Sequence, residues 1–198
     1  MSAEAEDATP IEWPIFTIDF EASSLDAGTY PIEVGVCRWR GPDETIEGWS
    51  TLIKPTQDWI THGSWSPRSQ AVHGIDRDQL GTGRDPTDVV MALNSIVGRS
   101  AAYCDGIPHD RHWAQTLARA SGARATFKLG DFDMLTAKLD QFAYMRMARW
   151  LDRAPPRHRA RDDAERLMKA IARALRIEHG ISRDIVPSPR GQPCVPSR

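Results

Sequence analysis

The stretch Ile15-Phe16-Thr17-Ile18-Asp19-Phe20-Glu21 decides how this chain is read. It is apolar and β-type, bounded by Pro14 and by the turn-like segment from Ser23 to Gly28. Successive side chains of a strand point to opposite faces. Phe16, Ile18 and Phe20 therefore turn into a core, while Asp19 and Glu21 project together from the other face, roughly 7 Å apart along the strand. Two carboxylates so close are unfavourable unless a cation lies between them. A divalent ion such as Mg2+ or Mn2+, which takes oxygen ligands, is one solution. One acid capping the next loop beside a solvated partner is the other.

Working outward, strands are expected at Ile32 to Trp39 and Thr45 to Ile53, separated by Gly41-Pro42-Asp43. With the first strand they form an antiparallel meander. Trp59 to Pro67 reads as loop, and Ser69 to His73 as a short helical turn. Asp85-Pro86-Thr87-Asp88 starts a helix that runs to about Val97. Strands at Ser100 to Cys104 and Ala125 to Leu129 then alternate with helices at Asp110 to Ala120 and over 132–153. The plainest helix is Arg161 to Glu178, where Ala164, Leu167, Met168, Ile171, Ala172 and Leu175 recur at helical spacing before Gly180. Three strands followed by alternating strand and helix argue for an α/β layered domain with a mixed sheet, antiparallel at one edge and parallel at the other.

The 198 residues suit one domain. We divide them into a flexible lead (1–10), a single domain (11–180) and a Pro/Arg-rich tail (181–198). With 40% hydrophobic and 26% charged residues, wholesale disorder is excluded. No apolar run is long enough for a membrane helix. The acidic start lacks the pattern of a secretion signal, and Cys37, Cys104 and Cys194 lack the spacing of a disulfide framework or zinc site. A cytoplasmic protein with reduced thiols is expected. Net charge is −2, but 13 of the 25 Lys and Arg lie in 141–198 against 6 of the 27 acids. An acidic body with a basic end can hold cations in one place and a polyanion in another.

Two further acids and a histidine complete the chemistry. Asp110 opens a helix on the side shared with Trp113, and Asp163 lies in the first turn of the last helix beside its apolar stripe. His158 sits in the Pro-rich loop just before. Taken singly, such acids are also ordinary helix caps, and Asp105, His109 and His112 compete for any role near Asp110.

As a set, these pieces resemble the DEDDh family of 3′→5′ exonucleases. FTIDFEASSL looks like the first motif, with Asp19 and Glu21. AAYCDGIPHDRHWAQTL resembles the second, with Asp110. HRARDDAERL is similar to the third, with His158 and Asp163, and SQAVHGIDRDQL resembles an intermotif segment containing His73, Gly74 and Ile75. The resemblance spans residues 14–178. It departs at Ala22-Ser23-Ser24-Leu25, where the family often has Thr-Thr-Gly-Leu. It departs again at His109 and Asp105, where an aromatic residue and an Asn are usual.

The resemblance implies a ribonuclease H-like fold. It also implies two divalent ions, Mg2+ or Mn2+, held by Asp19, Glu21, Asp110 and Asp163, with His158 as general base. The reaction implied is removal of nucleoside 5′-monophosphates from the 3′ end of single-stranded DNA, RNA or short oligonucleotides. Ala22, Ser23, Ser24 and Leu25 would meet the terminal nucleotide, and His73 would line the same pocket. Dimers occur among such relatives, which leaves a homodimer open. The competing reading is a non-catalytic nucleic-acid-binding or subunit module on the same fold. Arg146, Arg149, Arg153, Arg157, Arg159 and Arg161 are candidates for phosphate contacts. Trp59 and Trp65 are candidates for base stacking, and Trp39, Trp113 and Trp150 for the core.

Overall fold

The computed structural model describes residues 11–178, 180 and 182–188. The expected lead (1–10) and Cys194 lie outside them. The chain forms a six-stranded sheet in the order β5-β4-β1-β2-β3-β6, flanked by helices on both faces. Its strands are β1 (Ile15–Ala22), β2 (Pro31–Trp39), β3 (Glu47–Leu52), β4 (Ala101–Cys104), β5 (Lys128–Asp131) and β6 (Arg183–Asp184). The first three form the antiparallel meander, and β4 and β5 continue the sheet in parallel beyond β1. The α/β mixed sheet expected from the sequence is the one observed.

The helices are α1 (Gln57–His62), α2 (Pro67–His73), α3 (Pro86–Val97), α4 (Ile107–Ser121), α5 (Phe132–Thr136), α6 (Gln141–Leu151) and α7 (Ala160–Leu175), with a 3-10 turn at Arg77–Thr82. Phe16, Ile18 and Phe20 of β1, with Ile32, Val34 and Val36 of β2, pack against Val89, Leu93 and Ile96 of α3 and Trp113 and Leu117 of α4. On the opposite face, Ile15, Cys37 and Trp39 pack against Leu167, Met168 and Ile171 of α7 and against Met147 of α6. Each such large side chain contributes about 2 kcal/mol by leaving water.

That second face changes character along β1. Its residues are Ile15, Thr17, Asp19 and Glu21, paired across to Trp39, Cys37, Gly35 and Glu33 of β2. The helix α7 lies over it, and the Thr17 hydroxyl donates to the Ala164 carbonyl at 2.6 Å. Gly35 permits the approach: a Cβ there would fall 2.2 Å from Ala160 C and Arg161 N. Because Gly35 is the partner of Asp19, the first turn of α7 comes down beside the carboxylates.

Several expectations are corrected. Trp59 lies in α1, capped by Thr56, and it is buried and stacked on Tyr30, so it offers no face to a base. The region 132–153 is two helices, since Asp140 caps α6 anew through the Ala143 amide at 2.8 Å. The last helix ends at Leu175, where Arg176 takes a left-handed φ of 57°, before Gly180 is reached. Within the supposed tail, β6 extends the sheet beside β3 and Ile185 is buried. Residues 181 and 189–198 lie outside the described part.

Candidate active site

Both helix starts that matter approach the carboxyl end of β1, one from each face of the sheet. The chain leaves β4, turns at Gly106 and begins α4 at Ile107, three residues earlier than expected. Asp110 thus falls in the first turn, its amide donating to the Gly106 carbonyl at 3.0 Å. Asp163 falls in the first turn of α7 on the other face. Crevices at the carboxyl ends of parallel strands are the usual ligand sites of open α/β sheets.

The carboxylates crowd one another. Burial first, and then the charges of Asp110, Glu21, Asp163 and Asp105, hold Asp19 well above the usual carboxylate range. Glu21 is pushed up to about 8 by burial and by Asp163 and Glu33, against the pull of Arg159. Burial raises Asp110 to about 7, although the Cys104 thiol and the Gly106 amide favour its charged form. Asp110 is 2% exposed, and its Oδ2 has no hydrogen-bond partner among the described residues. A buried carboxylate oxygen without a donor is expensive to keep ionised. Asp105 is raised by burial too, but it faces Arg166 at 3.7 Å and its side chain is half exposed.

His158 stands at the rim. Its φ of 55° is left-handed, a conformation that costs a non-glycine residue roughly 1 kcal/mol. Asp163 holds it there: the amides of Arg157 and His158 each donate to one Asp163 oxygen, both at 2.8 Å. One ligand atom from each of Glu21, His158 and Asp163 lies within 4.8 Å of the others. Strained backbone that is held in place by its surroundings tends to mark functional positions.

A cleft of about 780 Å3 is lined by Asp19, Glu21, Ala22, Leu25, His73, His158 and Asp163; Asp110 does not line it, but its charge acts on Asp19 and Glu21. Leu25 is 68% exposed there, beside Val72. Ser23 and Ser24 turn inward instead. The Ser23 hydroxyl accepts from the Tyr30 amide at 3.0 Å, and the hydroxyls of Ser24 and Ser64 bond to each other at 2.5 Å. His73 is buried, and the Ile75 amide donates to its Nδ1 at 3.0 Å. The ring proton is thereby kept on Nε2, which has no partner among the described residues.

Sequence reading missed Glu33 and Arg68. Buried Glu33 accepts from Arg159 Nε and Nη2 at 3.1 and 2.6 Å and from the Ala160 amide at 3.0 Å, pinning the loop that carries His158. An acid inside an apolar strand opposite Glu21 was the available signal. Arg68, from α2, lines the cleft as an exposed cation.

An all-oxygen donor set, in which Asp19, Glu21 and Asp110 are raised by burial and Asp110 Oδ2 has no partner among the described residues, fits hard divalent cations. Asp19, Glu21, Asp110 and Asp163 are the residues that could hold them. The fold and site thus define an α/β protein with a carboxylate cluster at the carboxyl end of its interior strand β1 and a histidine beside it. No family model matches the sequence, and no curated protein matches it. Among solved structures it is similar to one described as the crystal structure of a full-length 3′-exonuclease, at 15% identity and a TM-score of 0.45. The match covers 88% of this chain and 64% of that one. No helix among the described residues is long and apolar enough to cross a membrane.

Proposed function

We propose that the chain is a metal-dependent 3′→5′ exonuclease. It would hydrolyse phosphodiester bonds from the 3′ end of single-stranded DNA, RNA or short oligonucleotides and release nucleoside 5′-monophosphates. One observation carries the reading: Asp19, Glu21 and Asp163 line one cleft beside a histidine whose backbone Asp163 holds, and the charge of buried Asp110 acts on Asp19 and Glu21.

In this reading Asp19, Glu21, Asp110 and Asp163 hold two divalent ions, Mg2+ or Mn2+. Bound there, such ions supply activation of water and stabilisation of the leaving oxygen. The protein's own groups do the rest. His158 accepts the proton of the attacking water on a ring nitrogen, and Asp163 and the Glu33–Arg159 pair keep its loop in place. Leu25 and Val72 pack against the terminal base, and Ala22 lies beside it. His73 donates from Nε2 to a substrate oxygen, and Arg68 faces a phosphate. Ser23 and Ser24 support the loop from behind. The free, buried thiols of Cys37 and Cys104 suit a cytoplasmic setting.

The test is a 5′-labelled single strand incubated with Mg2+ or Mn2+, with and without chelator, beside His158→Ala. Stepwise shortening from the 3′ end, stopped by chelator and reduced about 10²- to 10⁴-fold in the variant, supports the reading. A strand that binds but is never shortened with either metal replaces it with the non-catalytic binding module.

A further inference from the structure

The candidate site does not end at His158. Pro156, Asp163 and Arg166 line its cleft and also a second one of about 550 Å3. Trp150 and Arg153 line that second cleft and also a third, of about 510 Å3, between α6 and the end of α7. The three hollows therefore form a continuous run. From Asp163 to Arg176 it follows α7 for roughly 20 Å at the helical rise of 1.5 Å per residue.

Charge reverses along this run. The first cleft is floored by carboxylates. The third gathers Arg146, Arg149, Arg153, Arg173 and Arg176 around a single acid, Glu178. Arg146 is committed, donating from Nε and Nη2 to the Ala174 carbonyl at 3.1 and 2.6 Å. Arginines nearer the cluster are committed too: Arg159 to Glu33, Arg161 to Asp184 and Arg157 to Asp162. Arg149, Arg153, Arg173 and Arg176 are exposed and make no ion pair among the described residues. Half-buried Trp150 stands between the second and third hollows. Four guanidinium groups without an ion pair among the described residues, facing one acid, and one indole, in a groove continuous with the carboxylate cleft, match a polyanion that carries flat rings.

We propose that this groove binds the backbone of a single nucleic-acid strand upstream of its 3′ end. Arg149, Arg153, Arg173 and Arg176 contact phosphates, and Trp150 offers a stacking face. The proposal rests on the nuclease reading and deepens it, because it makes the substrate a strand of several nucleotides.

The experiment uses the full chain and two double variants. One is Arg149→Gln with Arg153→Gln. The other is Arg173→Gln with Arg176→Asn, since asparagine tolerates the left-handed φ at that position. Binding of labelled 5-mer and 20-mer oligothymidylate is followed by anisotropy in EDTA at several salt concentrations. Turnover of the 20-mer and of thymidine 5′-p-nitrophenyl phosphate is followed with Mn2+. Each double variant is expected to bind the 20-mer about tenfold more weakly. Its log K against log salt slope should be shallower by about 1.4, at 0.7 per lost contact with a single strand. The ratio of kcat/KM for the 20-mer to that for the small ester should fall by the same factor. Unchanged 20-mer affinity and salt slope in both variants overturns the groove. Loss of binding in an enzyme that cleaves neither substrate keeps the groove and overturns the nuclease reading instead.

Discussion

Replacing Asp110 with Asn tests the burial of carboxylates, reinforced by neighbouring charge, that underlies the functional reading. In the folded chain Asp110 sits at about 7 against an ordinary 3.8, and Glu21 at about 8 against 4.5. A carboxyl group raised on folding keeps its proton in the native state after the unfolded chain has lost it. Stability then falls as pH rises through that window. At about 1.4 kcal/mol per pH unit, either group alone accounts for roughly 4 to 5 kcal/mol. Burial is the largest cause for both, and Glu21 also feels the charge of Asp110, so the two contributions are partly coupled and we count one of them. The metal-free protein should therefore lose about 4 kcal/mol between about pH 4 and pH 8, a large part of a typical total of roughly 5–15. In a chain of this size that is a Tm lower by about 8–16 °C. Asn at position 110 cannot ionise. It also forgoes the interactions that the Cys104 thiol and the Gly106 amide give the carboxylate, so we expect a net gain of about 2 kcal/mol at pH 8, half of the charge effect. The assay is thermal unfolding in EDTA across this pH range, repeated with Mn2+. Added Mn2+ should raise the wild-type Tm at pH 8 and raise that of Asp110→Asn much less. A metal-free wild type as stable at pH 8 as at pH 5, together with a variant that is less stable at pH 8, refutes the reasoning.

Three other substitutions separate structure from chemistry. Gly35→Ala drives a methyl group into the start of α7, 2.2 Å from backbone atoms; unfolding should show a loss of about 3 kcal/mol, with activity lost even in the folded fraction. His158→Gly removes the left-handed strain and should raise stability by up to about 1 kcal/mol relative to His158→Ala. Both should be equally inactive, so a Gly variant with near-native turnover refutes the assignment of His158. Glu33→Ala frees Arg159 and the Ala160 amide; denaturant titration should show a cost of about 2 kcal/mol, and kcat should fall more than KM changes, because the loop carrying His158 loosens. A KM effect alone would show that Glu33 does not position that histidine.

Much of this fold was legible because its signals are local. Alternation in residues 15–21 put Asp19 and Glu21 on one face and Phe16, Ile18 and Phe20 on the other, since the two-residue period belongs to the extended backbone itself. The stripe from Ala164 to Ile171 marked α7 for the same kind of reason. Where signals were weak or shared, boundaries slipped. Thr56 caps α1 and Asp140 restarts α6, starts that the loop reading of Trp59 to Pro67 and the helical reading of 132–153 did not include, and Arg176 closed α7 where Gly180 seemed the natural stop.

The linear chain by itself determined which side chains share a strand face or a helix stripe. Tertiary structure alone decided that Gly35 faces Asp19 and lets α7 descend, and that Glu33 holds Arg159 while Arg149 and Arg173 make no ion pair among the described residues. It also decided that two helix starts converge on β1 from opposite sides of the sheet. Those relations join residues as far as 147 positions apart, the separation of Thr17 in β1 and Ala164 in α7. They arise from strand register and close packing, which leave no periodic mark on the sequence around either partner.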